Sequence, residues 1–197
     1  MKKKLLFTAL AALTLSLVSC GGGEPAIDQD NPQSLAFYPT DEGTYLVAQG
    51  ESKLLSHIEI PSTYKGKKVT GIMEQGFDGS KVKSVVISEG VASIDARAFH
   101  GCTSLVSIVM PSSIASIGRD IFNGCTHTYL RDGEIISEWS LIHIFYKGSS
   151  SDWAAVNIIE DSYFLSQFLY FYSEATPSQA GNYWHYINGA PTAWENA

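Results

Sequence analysis

Hydrophobic residues recur along this chain with a Leu-x-x-Leu-x-Leu spacing, and mostly polar residues fill the positions between them. The spacing occurs in four registers, which are Leu55/Ile58/Ile60, Val82/Val85/Ile87, Leu105/Ile108/Met110 and, more loosely, Leu141/Ile144/Tyr146. Because residues two apart share one face of an extended chain, each register predicts a short strand with its apolar residues turned inward. Glu59, Val86 and Val109 alternate with the inward positions and are expected to point outward. Such strands bury a continuous core only when they stack in parallel, one per coil.

Residues that end a strand follow the first three of these segments, and two of the three stops begin with proline, which lacks a β-ladder donor. The stops lie at 61–63, 88–90 and 111–113. Short apolar segments come next and predict the strands of an opposite wall. These segments lie at 69–72, 91–94 and 114–117. Residues 64–68 lengthen the first repeat, and we expect them to form a surface loop.

A second motif defines the repeat period. Its four positions recur 23 residues apart, as Ile94/Phe99/Gly101/Cys102 and Ile117/Phe122/Gly124/Cys125. An earlier copy has Phe77 and Gly79, with Ser80 in place of the cysteine. We expect the phenylalanine to be buried at the corner between the walls, and the glycine to adopt a conformation that other residues resist. Self-similarity at a fixed period predicts a solenoid.

Both ends of the array need caps, because a terminal coil would otherwise expose its apolar face. Apolar runs at 35–38 and 45–48 flank a turn and predict a capping hairpin. The period is lost after residue 125, where we expect Asp152 to cap a helix at 153–156 and residues 168–172 to form a closing strand. The prediction is a mainly β repeat solenoid of about three to four coils with a hairpin cap and an aromatic C-terminal cap. Its single domain covers 35–197, divided into the N-terminal cap (35–54), the repeats (55–125) and an irregular last coil with the C-terminal cap (126–197).

The N-terminus has the pattern of a secretory signal, with three lysines followed by an apolar run at 5–18 that is short for a transmembrane helix. The junction resembles a bacterial lipoprotein signal, with Leu17 three residues before Cys20 and the small Ser19 just before it. This resemblance implies a signal peptide at 1–19, a lipid on Cys20 and a new N-terminus there. An ordinary cleaved signal is the alternative. Residues 20–34, rich in glycine, proline and acidic residues, are expected to form a flexible tether.

Charge limits the partners. The chain has 13 basic and 20 acidic residues and a net charge of −7, and loss of the three signal lysines would change this to −10. Nucleic acid is an unsuitable partner, since no basic cluster offsets the repulsion. Attachment to a membrane would therefore depend on acyl chains.

The sequence offers no catalytic residue, metal site or cofactor motif. Its five histidines, at 57, 100, 127, 143 and 185, lack metal-ligand spacing, and no serine or cysteine lies in a nucleophile turn. A hydrolase is therefore the least supported function.

Two cysteines hold equivalent places on neighbouring coils. The α-carbons of Cys102 and Cys125 would lie about 4.8 Å apart, a separation that permits a disulfide. Equivalent side chains point the same way, however, and cysteine is a good core residue. We favour free buried thiols and keep the disulfide as the alternative.

The consensus at 93–113, Ser-Ile-x-x-x-Ala-Phe-x-Gly-Cys-x-Ser-Leu-x-x-Ile-x-Met-Pro-Ser-Ser, resembles the BspA-like (Treponema-type) leucine-rich repeats of bacterial surface proteins. Residues 60–70 resemble the opening coil of such arrays, and 145–194 resemble a closing segment. The resemblance implies a short leucine-rich-repeat array on a cell-envelope protein that is lipid-anchored to the outer membrane and exposed at the surface. It also implies a non-catalytic role in protein or host-cell recognition and adhesion.

Aromatic residues cluster near the C-terminus, at Tyr183, Trp184, Tyr186 and Trp194. They form a candidate platform for a sugar or a peptide, because aromatic rings provide efficient contact surface. An outer-membrane carbohydrate-binding lipoprotein is accordingly an alternative function. The competing interpretation, which we favour, is that these rings seal the last coil.

Overall fold

The computed structural model describes residues 30–51, 54–141, 143–159 and 162–194, with side chains from 165 onward in the last range. The predicted signal peptide, the Cys20 lipidation site and the tether up to residue 29 lie outside these residues. Within the described part of the chain, no helix has both the length and the apolar character needed to cross a membrane.

The described chain contains short strands and two short helices. In chain order they are β1 (Ala36–Pro39), β2 (Tyr45–Ala48), β3 (His57–Ile60), β4 (Thr63–Tyr64), β5 (Lys67–Ile72), β6 (Ser84–Ile87), β7 (Ser93–Ile94), β8 (Ser107–Met110), β9 (Ser116–Ile117), β10 (Thr126–Arg131), β11 (Glu134–Trp139), β12 (His143–Tyr146), α1 (Ser150–Ala154), β13 (Asn157–Ile158), α2 (Ser162–Gln167), β14 (Leu169–Tyr172), β15 (Tyr183–Ile187) and β16 (Ala190–Ala193).

Two sheets form the walls of the solenoid. The front sheet has the order β3-β6-β8-β12-β14-β15-β16, and the back sheet has the order β1-β2-β5-β7-β9-β13 with β4 added to β5. Strands β3, β6, β8 and β12 are parallel and in register, so His57, Ser84, Ser107 and His143 form one row. Each of the four coils that begin at β3, β6, β8 and β12 contributes one strand to each wall, which confirms the predicted mainly β repeat solenoid.

The core lies between the walls and consists of the inward residues of every coil. Ile58, Ile60 and Ile108 are fully buried, as their spacing predicted. At the corners, the Phe99 ring stacks between Phe77 and Phe122, with centroid separations of 5.3 Å and 5.9 Å. The predicted phenylalanine anchors are therefore confirmed as a continuous column.

Corner glycines adopt the left-handed conformation. Gly79, Gly101 and Gly124 have φ values of 66°, 65° and 76°. This conformation lets successive corners pair through their backbones, as where the Gly79 N–H donates to the His100 carbonyl at 2.8 Å. The repeated glycine is thus a requirement of the stacking geometry.

The segment at 64–68 is not a loop, so that prediction was wrong. Strand β4 pairs with β5, and Lys65 and Gly66 form the tight turn with φ values of 48° and 74°. Two consecutive positive φ values characterise a hairpin turn. The Tyr64 ring then stacks on Phe37 of the N-terminal hairpin at 3.9 Å, and so the insert completes the first cap.

The parallel ladder continues beyond residue 125, after the β10–β11 hairpin. Strand β14 covers most of the segment predicted at 168–172 and pairs with β12, which confirms a strand there. It does not close the sheet as predicted, because β15 pairs with its other edge. The predicted helix start was wrong, because Ser149 is the N-cap of α1 and Asp152 is its third residue. The Asp152 carboxylate accepts the Ser149 N–H at 2.8 Å, and its pKa is lowered by its hydrogen bonds to the Ser149 side chain and backbone.

Gly118 offers a direct test of coil-to-coil packing. Its N–H donates to the Ile94 carbonyl at 2.8 Å, and a Cβ added here would lie 2.8 Å from the Ala96 Cα. We expect Gly118→Ala to lower the free energy of unfolding by about 3 kcal/mol. The added Cβ would meet backbone atoms of the neighbouring coil, and these can move only if the whole coil shifts. Urea denaturation measures this difference.

Gly133→Ala serves as the control. Gly133 has a φ of 86°, and a Cβ there would meet no atom within 4 Å. The Gly133→Ala substitution should therefore lower the free energy of unfolding only through the left-handed backbone conformation, by about 1–2 kcal/mol. Equal losses for the two variants would contradict the packing argument.

Candidate binding groove

Outward-facing residues of the front sheet form a second row beside the one that starts at His57. In this row Glu59 on β3 is aligned with Val86, Val109 and Phe145 on the next three strands. Glu59 is exposed and Val86 is half-buried. Val109 points away from the main core, as predicted, yet only 1% of its surface is accessible. Part of the outer face is therefore covered.

Trp184 on β15 provides the cover. Its side chain is fully buried and packs with Val109 and Phe145 into a small second core. The rings of Phe145 and Trp184 are 5.2 Å apart, and the indole Nε1–H donates to the Tyr146 carbonyl at 2.8 Å. This hydrogen bond satisfies the indole and orients its ring across the sheet.

The β15–β16 hairpin departs from the sheet after Trp184. Strand β15 pairs with β14 only at Tyr183 and Trp184, whereas its later residues pair with β16. The hairpin turns at Asn188 and Gly189, with φ values of 51° and 82°. The part of the hairpin at 186–191, which does not pair with β14, lies over the outer face of β3, β6 and β8.

A groove of about 660 Å³ separates the hairpin from those strands. It is lined by His57, Glu59, Ser84, Val85, Val86, Ser107, Val109, Tyr186, Gly189, Ala190 and Pro191. Strands β3, β6 and β8 form its floor, and the hairpin forms its wall. We call this space the front groove.

Local hydrogen bonds shape one end of the front groove. His57 Nδ1 and Ser84 Oγ are 2.8 Å apart. The Gln33 amide holds the backbone of Glu59 from the other side, accepting its N–H at 3.0 Å and donating to its carbonyl at 3.3 Å. This amide closes the free edge of β3 much as a neighbouring strand would. The Glu59 carboxylate forms no ion pair with any described residue.

The other end of the front groove is bordered by Tyr186, which is 42% exposed. Burial, and next the nearby Glu89 carboxylate, raise the pKa of the Tyr186 phenol, so the ring stays neutral. Glu89 is itself held by the Ser112 hydroxyl at 3.1 Å. The front groove thus contains one free carboxylate, lies near a second, and has no Lys or Arg among its lining residues.

The structure separates the predicted aromatic platform into different environments. Trp184 is enclosed and presents no free ring face, whereas Tyr186, 5.0 Å from it, borders the front groove. Trp194 stacks on His185 at 3.8 Å and donates its Nε1–H to the Ser173 carbonyl. Tyr183 is half-buried on β15. Sequence reasoning missed Glu59 and Ser84 as groove residues, although it identified the alternation that turns them outward.

The histidines are dispersed over the described part of the chain. His100 contacts Asp78 at 2.9 Å, and His143 stacks on Phe145, where burial lowers its pKa and favours the neutral ring. Nowhere in the described ranges do three His, Cys, Asp or Glu residues cluster closely enough to hold a metal ion.

Cys102 and Cys125 are both free and buried. Their Sγ atoms donate to the carbonyls of Phe77 and Phe99 at 3.0 Å and 3.1 Å, which continues the corner ladder. Each thiol has one hydrogen, and both hydrogens are used in these bonds to backbone carbonyls. A protonated, enclosed thiol is a poor nucleophile, and this pair is therefore structural.

Thiol titration checks this assignment. In a Cys20→Ser variant we expect no reactive thiol in the native protein and two after denaturation, because both sulfurs are enclosed by the corner column. An absence of thiols after denaturation, without reductant, would show a disulfide instead.

Comparison with known proteins shows what the repeats are similar to. Residues 70–145 match the sequence model of the BspA type leucine rich repeat region, in six copies. The leucine-rich repeat protein TpLRR of T. pallidum has a similar structure, with 18% identity, a TM-score of 0.51, and coverage of 77% of this chain and 72% of that one. This likeness shows a shared fold.

Two further structures show partial similarity. The pneumococcal vaccine antigen PcpA is 27% identical over 58% of this chain and 22% of its own, with a TM-score of 0.36. A leucine-rich repeat protein from Bacteroides capillosus is 18% identical over 59% of this chain and 96% of its own, with a TM-score of 0.38. The comparison with curated proteins gives no match.

Proposed function

We propose, from the premise that residues 70–145 are a leucine-rich repeat region of the BspA type, that this protein is a non-catalytic recognition protein of the bacterial cell surface. Repeats of this type generally mediate protein binding, and BspA-like proteins are bacterial surface proteins. In this proposal the chain is anchored to the outer membrane by a lipid on Cys20 and acts in adhesion to host or neighbouring cells.

The observation that carries the proposal is the front groove. Solenoids bind ligands on surfaces built from successive coils, and three neighbouring coils form the floor here. The hairpin converts that flat surface into a concave one, which allows a ligand to be enclosed from two sides. A protein segment laid across β3, β6 and β8 would contact all three coils at once.

A carbohydrate-binding function has less support. It would need exposed ring faces, but Trp184 is enclosed and one face of Trp194 is covered by His185. Tyr186 alone of the four predicted aromatics borders the front groove. We therefore place a protein ligand ahead of a sugar.

Lipid attachment is tested by labelling. Cells grown with radiolabelled palmitate are expected to label the wild-type protein and not the Cys20→Ser variant, which should also leave the membrane fraction. Cys102→Ala is the control and should retain the label. A labelled Cys20→Ser protein would contradict the proposed anchor.

Surface exposure is tested by adding protease to intact cells and to permeabilised ones. We expect degradation on intact cells, because an adhesive protein must reach its ligand. Protection until permeabilisation would contradict the adhesion proposal and favour a periplasmic partner.

Ligand class is tested with arrays of degenerate peptides and of glycans. We expect the full chain, purified in detergent, to bind peptides, with at least about tenfold weaker binding for Tyr186→Ala. Tyr38→Ala is the matched control, since Tyr38 is similarly exposed but lies on β1 and does not line the groove. Binding to glycans alone would reject protein recognition.

A further inference from the structure

The charged side chains at the front groove are mainly acidic. Glu59 lies at one end with a free carboxylate, and Glu89 lies near Tyr186 at the other. His57 is the only basic side chain among the lining residues, and it is hydrogen-bonded to Ser84. Because Glu59 is exposed, its attraction for a cation depends on the salt concentration. The groove therefore favours a cation and disfavours an anion.

The floor between these two ends is apolar. Val86 is half-buried in the middle of the floor, next to Glu59 in the same row. Neighbouring strands are about 4.8 Å apart, so this valine lies one strand from the Glu59 position. The aliphatic stem of a lysine or arginine can cover such a valine while its charged end reaches a carboxylate.

Tyr186 adds a second type of contact for a cation. Its ring is partly exposed at the groove and neutral, and an aromatic face attracts ammonium and guanidinium groups. Pro191 and Ala190 beside it present a small apolar wall to the groove. The acid and the valine match the charged end and the stem of one basic side chain, and Tyr186 provides a contact for a further residue of the same peptide.

We propose that the front groove binds an extended peptide segment of a partner protein through a lysine or arginine side chain, whose stem lies on Val86 and whose charge is received by Glu59. This inference rests on the proposed protein-recognition function and adds the chemistry of the ligand. It predicts that the partner presents a basic segment and that binding weakens as salt is added.

Two nearer occupants fit the groove less well. The chain's own segment at 20–34 contains Glu24, Asp28 and Asp30 and no lysine or arginine. A second copy of the chain has a net charge of −7 and would bring further acid to an acidic groove. Charge complementarity thus indicates a different, basic partner.

The experiment uses pools of degenerate hexapeptides with one fixed position, held by Lys, Arg, Gln or Glu. The full chain, purified in detergent, is applied at 50 mM and 500 mM NaCl, about a threefold change in Debye length. We expect the Lys and Arg pools to bind about tenfold more tightly than the Gln pool at low salt, and the Glu pool to bind most weakly. High salt should reduce the preference.

Glu59→Gln should reduce the Lys-over-Gln preference by about threefold to fivefold. Glu134→Gln is the control, because Glu134 is an exposed acid on β11 that does not line the groove. Thermal unfolding must show that Glu59→Gln is folded; if it is not, the salt dependence of the wild-type preference decides the question.

The outcomes separate the two proposals. Equal binding of all pools that is still lost in Tyr186→Ala would overturn the basic-ligand inference and leave protein recognition standing. A preference for the Glu pool, or one insensitive to salt and to Glu59→Gln, would also overturn it. Failure of every peptide pool together with binding to the glycan array would reject protein recognition itself.

Discussion

Replacing Phe99 by alanine should lower the free energy of unfolding by about 3–5 kcal/mol. The ring is fully buried, and it is the middle member of the column formed with Phe77 and Phe122. Its neighbours cannot collapse into the vacated space, because backbone hydrogen bonds hold each corner to the next, as between the Phe99 N–H and the Ile121 carbonyl. Urea denaturation followed by circular dichroism measures the loss.

Leu130→Ala is the control for this measurement. Leu130 is 74% exposed on β10, and its truncation should change stability by less than about 0.5 kcal/mol. A solenoid is held together by interfaces between adjacent repeats, so loss of the central ring should weaken the coils on both sides. A loss below about 1 kcal/mol for Phe99→Ala would mean that the corner can repack, contrary to the rigid column described above.

Replacing Trp184 by alanine should cost a similar amount, about 3–5 kcal/mol, and should release the C-terminal hairpin. The substitution exposes Val109 and Phe145 and removes the indole bond to the Tyr146 carbonyl. Hydrogen exchange should then become faster at residues 183–193, and binding in the front groove should be lost because its wall is no longer held. Denaturation and peptide-level exchange measure the two effects.

Trp184→Phe separates packing from hydrogen bonding. The phenyl ring retains much of the cover over Val109, but the hydrogen bond from the indole to the Tyr146 carbonyl is lost, which should cost about 1 kcal/mol. Tyr38→Ala, at an exposed site on β1, should change stability little. Unchanged stability and unchanged exchange in Trp184→Ala would contradict the assignment of Trp184 as a residue that holds the hairpin.

The repeat core was predictable because its signals are local. Ile58 and Ile108 were identified as inward by alternation alone, and Phe99 by recurrence at a fixed period. These positions depend on the pleat of a strand and on the need of each coil to bury one face, which act in the same way at every repeat.

Errors arose where a segment makes contacts that its own pattern does not specify. Residues 64–68 were interpreted as a loop, but Lys65 and Gly66 make a tight turn and Tyr64 stacks on Phe37 of the preceding hairpin. The helix expected to begin after Asp152 begins at Ser150, because the Ser149 side chain caps it and Asp152 completes the capping box. In both cases the outcome depended on contacts formed only in the folded chain. These are the β4–β5 pairing and the Tyr64–Phe37 stacking in the first case, and the capping hydrogen bonds of Ser149 and Asp152 in the second.

The outward positions of the front strands have an unusually apolar composition, which indicates that part of this face is covered. Outward positions in the row of Glu59 are otherwise Val86, Val109 and Phe145, which are apolar where an exposed face would be polar. Such residues indicate that something covers the outer face, but their own pattern does not identify the covering segment.

By itself, the sequence determined the period of the coils, the inward and outward sides of each strand and the residues of the corners, because these follow from steric and burial requirements within a single repeat. Only the tertiary structure decided which outward residues are buried and where a groove remains. Trp184 meets Val109 across 75 positions of the chain, and a contact so distant depends on how the last coil closes rather than on any local pattern of residues.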